Sequence, residues 1–152
     1  MKKIEIYTDG GVKGNGHIHS IGCAAYVVLQ DDVLICTGWT SVTAGTTNNR
    51  EEMKAIINAL NNRLCSHEEH ITLYSDSSYC VNGINKWMKI WEKNNFLRGD
   101  ETIPNKDLWE EMFKLVNFFS NLSVMWVRGH DGNKWNEHVD RLCQNKLEEY
   151  KK

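Results

Sequence analysis

Residues 4–11, with the sequence IEIYTDGG, determine how the chain begins. The first five of these residues alternate in polarity, which is the two-residue period of a β-strand. Asp9 then closes the predicted strand, and the two glycines after it predict a turn and a glycine-rich loop as far as Gly22. Two apolar runs follow, at 23–29 and 33–40, and the acidic pair between them predicts a hairpin. The chain is therefore expected to open with an antiparallel meander.

After the meander, strands and helices alternate along the chain. Apolar residues from Met53 to Leu64 recur at helical spacing, which predicts a helix beginning near Asn49 with Thr47 or Asn48 as its N-cap. The later segments are predicted as a strand at 71–74, a helix from about 77 to 93, a polar loop at 94–104, an amphipathic helix around 108–119, a strand at 123–128 and a closing helix with an apolar stripe from 139 to 150. This order indicates an α/β fold in which a mixed sheet is covered by helices on both faces.

The composition excludes several classes of protein. With 152 residues, of which 41% are hydrophobic, the chain can form one compact domain and is not intrinsically disordered. No apolar run approaches the roughly 18 to 20 residues needed to cross a bilayer, and the N-terminus lacks the apolar stretch of a signal peptide. The five cysteines include no C-x-x-C pair, which indicates a reduced setting, so a soluble cytoplasmic protein is expected. The net charge of -2, from 18 basic and 20 acidic residues, argues by itself against a nucleic-acid binder.

Four of the acidic residues occupy positions where a carboxylate can take part in chemistry. Asp9 and Asp76 each close a predicted strand, at the kind of sheet edge where α/β proteins bind ligands. Glu52 lies in the first turn of the first helix, and Asp140 lies beside the apolar stripe of the closing helix. Taken singly, each is explained as a turn, cap or surface residue. Four clustered carboxylates, however, would repel one another unless cations were bound, and their hard oxygens suit Mg²⁺.

Specific strings of sequence surround these four residues. They are YTDG at 7–10, TTNNREE at 46–52, YSDS at 74–77, WVRGH at 126–130 and NEHVD at 136–140. In these strings, their order and their spacing, the chain closely resembles type 1 ribonuclease H from about residue 3 to about residue 148. The resemblance implies a ribonuclease H-like fold with a five-stranded mixed sheet, antiparallel strands first and parallel strands after them. It also implies a single catalytic domain over residues 1–152, without a hybrid-binding module.

The activity that this resemblance implies is endonucleolytic hydrolysis of the RNA strand of an RNA–DNA hybrid. Catalysis would use two Mg²⁺ ions, for which Mn²⁺ should substitute, and would leave 5′-phosphate and 3′-hydroxyl ends. The family spacing selects Glu52 rather than Glu51 as a ligand, and His130, in a G-H-x-G string, would carry a proton or assist product release. The implied metal-binding residues are Asp9, Glu52, Asp76 and Asp140.

The implied substrate contacts form two groups. Asn15, Asn48 and Asn49 match family positions at the substrate backbone and minor groove, and Thr47 with Asn105 matches positions that hold a phosphate of the DNA strand. The second group is the handle, a helical segment that grips the duplex outside the cleft and carries a local charge of +3 over residues 86–98. The handle residues expected to bind substrate are Lys86, Trp87, Lys89 and Trp91. The expected partner is an RNA–DNA hybrid, bound by a monomer.

The chain departs from the family pattern, and other functions stay open. The G-N-P-G turn of the family appears at 14–17 without its proline, and the handle is less basic than in many members. A resolvase, an integrase-like strand transferase or a domain of a polymerase polyprotein would share the fold, whereas a non-catalytic binder would be expected to have lost a carboxylate. The T-T-N-N-R-x-E string and the handle favour hybrid specificity. When the four carboxylates are left out of the count, the chain has 18 basic and 16 acidic residues. The net charge then no longer argues against binding of nucleic acid.

Overall fold

The computed structural model describes residues 2–15, 17–61, 69–129 and 131–150. The strands are β1 (Ile4–Lys13), β2 (Ile21–Gln30), β3 (Val33–Trp39), β4 (Thr43–Ala44), β5 (His70–Ser75), β6 (Leu97–Arg98), β7 (Glu101–Thr102) and β8 (Asn121–Trp126). The helices are α1 (Asn48–Leu60), α2 (Ser78–Asn82), α3 (Met88–Lys93), α4 (Lys106–Phe118) and α5 (Lys134–Tyr150), with a π-helical segment at Gly83–Trp87 between α2 and α3.

The main sheet is mixed, as the sequence predicts. Its strand order is β3-β2-β1-β5-β8. Strand β2 pairs antiparallel with both β1 and β3, whereas β5 pairs parallel with both β1 and β8. The five expected strands are therefore confirmed, and the short β4 adds a sixth that pairs with β2.

Strand β1 is longer than the sequence predicts. It does not end at Asp9 but continues to Lys13, and β2 pairs with it over its whole length. The glycines that predicted a turn serve another purpose. A side chain at Gly10 would overlap the backbone of α1, and one at Gly11 would contact α5. Glycine is thus required at position 10, where α1 packs closely on a strand that continues, and this use cannot be told from a turn by sequence alone.

The helices and loops show one confirmed boundary and three corrections. Thr47 is the N-cap of α1, where its Oγ1 accepts a hydrogen bond from the Arg50 backbone N–H at 3.3 Å. The single helix predicted at 77–93 is divided by the π-helical segment, in which Gly83 lies directly against the Trp109 ring. The loop predicted at 94–104 contains the β6–β7 hairpin, and β8 begins and ends two residues earlier than predicted, at 121–126.

The two faces of the main sheet carry separate cores. On one face, α1, α2 and α4 enclose the larger core, which includes Met53, Leu73 and Trp109. On the other face, α5 packs through Val139 and Cys143 on the side chains of β1 and β2. Coverage of both faces by helices is therefore confirmed. In the parts of the chain that the structure describes, no helix has both the length and the apolar character needed to span a membrane.

Candidate active site

The parallel pairing of β1 with β5 brings two of the predicted carboxylates together. The last paired residues of these strands are Thr8 and Ser75, and each is followed by an aspartate: Asp9, which lies within β1, and Asp76, which comes just after the end of β5. Asp9 is not at the end of its strand, but it lies where the parallel pairing stops. The two aspartates therefore lie side by side at one edge of this pair of strands.

Glu52 joins them from the first helix. Because Gly10 has no side chain, α1 packs closely against β1, and the Gly10 backbone N–H donates a hydrogen bond to Glu52 Oε1. One carboxylate oxygen from each of Asp9, Glu52 and Asp76 lies within 4.8 Å of the others. We call these three residues the carboxylate cluster. Asp9 and Glu52 are buried, with 4% and 7% of their surfaces exposed.

Asp140 approaches the same cavity from the opposite face of the sheet. It lies on α5 and lines a cavity of about 390 Å³ together with the carboxylate cluster. Its Oδ2 accepts a hydrogen bond from Gln144 Nε2 at 3.2 Å, one helical turn further along α5. The cavity thus collects all four predicted acids, three of them in the tight cluster and Asp140 beside it.

Burial makes this group of acids electrostatically unfavourable when no cation is bound. Burial raises the pKa of the Asp9 carboxyl, and the negative charges of Glu52 and Asp76 raise it further. Burial likewise raises the pKa of Glu52, although hydrogen bonds from Asp9 and the Gly10 N–H act in the opposite direction. Glu52 Oε2 is buried and has no hydrogen-bond partner among the described residues. An unsatisfied buried oxygen in a group of hard oxygen donors fits a divalent metal ion.

The adjacent acid, Glu51, has different surroundings. It is completely buried, and its Oε2 accepts a hydrogen bond from Thr46 Oγ1 at 2.7 Å and pairs with Lys54 Nζ at 2.8 Å. It is absent from the carboxylate cluster and from the lining of the cavity. Of the two neighbouring glutamates, only Glu52 therefore belongs to the carboxylate cluster and lines the cavity.

The polar residues expected to contact substrate gather around the N-terminus of α1. Asn48 and Asn49 line the cavity, and Asn15 Oδ1 accepts a hydrogen bond from the Asn48 backbone N–H at 3.1 Å. Thr47 caps the helix, and Asn105, from the start of α4, is joined to this region by a hydrogen bond from Arg50 to its Oδ1 at 3.2 Å. Two of the five expected residues therefore line the cavity, and the other three are linked to the first turn of α1 beside it.

The handle lies apart from this cavity. Lys86, Lys89 and Trp87 are exposed, Trp87 to 49%. Trp91, by contrast, is partly buried and meets the Trp109 ring edge-on with centroids 5.1 Å apart. Trp87 and Trp91 both line a second cavity, of about 710 Å³, between α3 and the β6–β7 hairpin. The two tryptophans thus differ, since Trp87 is available to a ligand whereas Trp91 mainly packs inward.

One predicted residue lies outside the described chain, and one residue of the cavity was missed by the sequence prediction. His130 lies outside the described residues. Tyr79 lines the carboxylate cavity although no motif singled it out. The available signal was its position three residues after Asp76, in the first turn of the helix that follows the strand.

Comparisons with known proteins agree on one family. The family model described as RNase H matches residues 1–148. The ribonuclease H of Clostridium botulinum (strain Hall) is 36% identical over 152 residues, covering 99% of this chain and 99% of the relative, and that of Haemophilus influenzae (strain 86-028NP) is 38% identical over 145 residues, covering 95% and 89%. Among solved structures, LC9-RNase H1, described as a type 1 RNase H with the type 2 active-site motif, superposes with a TM-score of 0.80 and 26% identity, covering 94% of this chain and 71% of that one.

Proposed function

The chain belongs to the ribonuclease H family, and on that premise we propose that it hydrolyses the RNA strand of RNA–DNA hybrids with two Mg²⁺ ions, leaving 5′-phosphate and 3′-hydroxyl ends. Family membership establishes the coarser statements: the chain is a nuclease of the hydrolase class, it acts on RNA in RNA–DNA hybrids, and it depends on divalent metal. The two-ion mechanism, the choice of Mg²⁺, the products and the residue roles are the proposal.

The observation that carries the mechanism is the carboxylate cluster. It offers hard oxygens within 4.8 Å of one another, one of which, Glu52 Oε2, has no hydrogen-bond partner among the described residues. We assign Asp9, Glu52, Asp76 and Asp140 as the metal-binding residues. When bound, divalent ions supply an activated water and neutralise charge on the phosphoryl and leaving oxygens.

The chain holds these ligands in place through its backbone. Asp9 lies inside β1, and β1 pairs with β2 through the residues both before and after Asp9. The sheet therefore fixes the position of Asp9. The Gly10 N–H orients the Glu52 carboxylate, and α5 places Asp140 from the other face. Little reorganisation is therefore needed when metal and substrate arrive, which is the condition for electrostatic catalysis.

The asparagines beside the cluster suit recognition of the hybrid. Asn48 and Asn49 line the cavity with side-chain amides that both donate and accept hydrogen bonds. The 2′-hydroxyls that distinguish RNA from DNA also donate and accept, and they line the shallow minor groove of an A-like duplex. We assign these two residues to the RNA strand, and the exposed Lys86, Trp87 and Lys89 to the duplex outside the cleft. His130 is assigned to proton transfer during turnover.

The test compares three labelled duplexes: RNA–DNA hybrid, double-stranded RNA and double-stranded DNA. We expect only the RNA strand of the hybrid to be cut, with Mg²⁺ or Mn²⁺ and not with chelator, and end-group analysis should find 5′-phosphates. Asp9→Asn should reduce cleavage by at least about a hundredfold. The matched control is Asp32→Asn, which makes the same change in the exposed β2–β3 turn, where the positive φ of 69° also suits asparagine. Equal cutting of double-stranded DNA, or full activity of Asp9→Asn, would refute the proposal.

A further inference from the structure

Asp76 differs from the other two acids of the carboxylate cluster, because it lies between a strand and a helix. Asp9 lies within β1 and Glu52 lies within α1, whereas β5 ends at Ser75 and α2 begins at Ser78. The regular backbone pairing that fixes the other two acids therefore stops on either side of Asp76. Its position depends on contacts made at the junction of the two elements.

The hydrogen bonds on each side of Asp76 leave its carbonyl group between two ladders. The ladder of β5 and β8 ends where the Val127 N–H donates to the Ser75 carbonyl at 2.9 Å. The first backbone bond of α2 runs from the Val81 N–H to the Ser77 carbonyl at 3.1 Å. The Asp76 carbonyl lies between these two acceptors, so its own partner must be a side chain or water.

Trp126 supplies that partner from β8. It is the last residue of this strand, and its indole Nε1–H donates a hydrogen bond to the Asp76 carbonyl at 3.2 Å. The indole has one donor and no acceptor, so the direction of the bond is fixed. Trp126 is 53% exposed on an edge strand, and it is not among the described residues that line the carboxylate cavity. Its contact with the site is therefore this bond to the backbone of Asp76.

The chain passes the same aspartate again three residues after Trp126. A Cβ at Gly129 would lie 3.0 Å from Asp76 Oδ2, so the backbone at this position runs directly beside the carboxylate. The end of β8 and the residues after it thus border Asp76 at two places. The indole holds its carbonyl group, and the backbone of Gly129 limits the space open to its carboxylate.

We propose that Trp126 is a positioning residue, which holds the backbone of Asp76 so that the Asp76 carboxylate joins Asp9 and Glu52 in binding metal. The inference rests on the proposed function, because it takes Asp76 as a metal ligand. It assigns a role at the metal site to a side chain that carries no charge and lies outside the cavity. Groups that orient metal ligands change metal affinity by about 10- to 100-fold when they are removed.

The first experiment measures Mn²⁺ binding to the protein without nucleic acid, from the electron paramagnetic resonance signal of free Mn²⁺. Trp126→Phe keeps an aromatic ring at the end of β8 but removes the N–H, and we expect it to lower Mn²⁺ affinity about tenfold. The matched control is Trp39→Phe, which makes the same change at a tryptophan of nearly equal exposure, 52%, on the edge strand β3. This control should leave Mn²⁺ affinity unchanged.

A second replacement of Trp126 separates the lost hydrogen bond from the smaller ring. Benzothienylalanine has the shape of tryptophan and carries sulfur in place of the indole N–H, so it should lower Mn²⁺ affinity as Trp126→Phe does. Unchanged affinity of the benzothienylalanine protein, or equal losses in Trp126→Phe and Trp39→Phe, would overturn the proposal.

Two further measurements distinguish positioning of Asp76 from a general loosening of the fold. In Asp76→Asn protein, Trp126→Phe should cause little further loss of Mn²⁺ affinity, whereas independent effects would multiply. In the hybrid cleavage assay, Trp126→Phe should raise the Mg²⁺ concentration for half-maximal activity about tenfold and leave the rate at saturating Mg²⁺ nearly unchanged. Multiplying losses, or a lower rate that saturating Mg²⁺ does not restore, would count against the assigned role. Failure of the proposed function would appear separately, as an unsubstituted protein that neither binds Mn²⁺ nor cuts the RNA strand of the hybrid.

Discussion

The backbone N–H of Gly10 donates a hydrogen bond to the side chain of Glu52, so the first strand and the first helix are joined at the site itself. Gly10 therefore has two functions. Its missing side chain admits the helix, and its amide orients a carboxylate. The position of Glu52 thus depends on the residue that follows Asp9 in the strand.

Gly10→Ala should disrupt this junction. The new Cβ would overlap the backbone of Glu51 and Glu52, so we expect the free energy of unfolding to fall by about 2 to 3 kcal/mol, the range for overpacking, together with most of the nuclease activity. Urea unfolding and the hybrid cleavage assay measure the two effects. Gly11→Ala is the matched control, because its Cβ would lie at ordinary contact distances of 3.4 and 3.5 Å from Cys143 and Leu147. Equal losses in both variants would contradict the close-approach explanation.

The metal-free protein should become less stable as the pH rises. Burial raises the pKa of Asp9 and of Glu52, so the folded state binds protons more tightly than the unfolded state. This stabilisation is complete below the ordinary carboxyl pKa, near 4, and is lost as the pH rises toward the raised folded-state values. In chelator, Tm should therefore fall between pH 5 and pH 8, and Mg²⁺ should raise Tm more at pH 8 than at pH 5. Asp9→Asn should flatten both trends, and identical slopes in the two proteins would argue against the buried acids as their source.

The buried pair between Glu51 and Lys54 should matter for stability rather than for metal binding. Lys54→Met would leave the completely buried Glu51 carboxylate without its cation, which typically destabilises by about 3 to 5 kcal/mol. Glu51→Gln in the same chain should restore part of this loss, and a double-mutant cycle in urea measures the coupling. The exposed pair of Lys106 and Glu110, at 3.6 Å, is the comparison, where Glu110→Gln should change stability by less than about 1 kcal/mol. A loss from Lys54→Met as small as that of Glu110→Gln would show that the pair is not structurally important.

The handle lysines should affect binding through charge. Lys86→Ala/Lys89→Ala removes two exposed cations away from the carboxylate cavity, so affinity for the hybrid should fall while kcat stays nearly unchanged. If both lysines contact phosphates, the slope of log affinity against log salt should fall by about 1.8. Lys2→Ala/Lys3→Ala removes the same charge at the far end of β1 and should leave the slope unchanged. An unaltered slope in the handle variant would show that the duplex is gripped elsewhere.

The acids of the site were predictable because each lies within a short, contiguous sequence motif. Asp76 follows the end of its strand, as expected. Asp9 lies beside Asp76 for a different reason: β1 continues past Asp9, but its parallel pairing with β5 ends at Thr8. Gly10 and Gly11 carry a signal that fits a turn as well as a close helix contact, and only the pairing of β1 with β2 distinguishes the two. That ambiguity explains the error in the length of β1.

The hydrogen bonds around Tyr79 were not predictable in this way. They join Tyr79 to Asn105 and Trp109, which are 26 and 30 residues away in the sequence, and they depend on how α4 packs beside α2. The π-helical segment, where Gly83 meets the Trp109 ring, also follows from packing between distant elements. Periodicity reports which face of a helix is apolar, but not which side chain will stand opposite it.

The carboxylate cavity draws its acids from β1, α1, the end of β5 and α5, on both faces of the sheet. A fragment that lacks either β1 or α5 therefore lacks an acid of the proposed metal site, and a chain in which α1 or α5 has detached cannot assemble the set. Metal affinity is consequently a measure of whether β1, α1, β5 and α5 are in their native arrangement. It couples the capacity to cut nucleic acid to the completeness of folding, so that misfolded or proteolysed copies would be inert rather than uncontrolled nucleases.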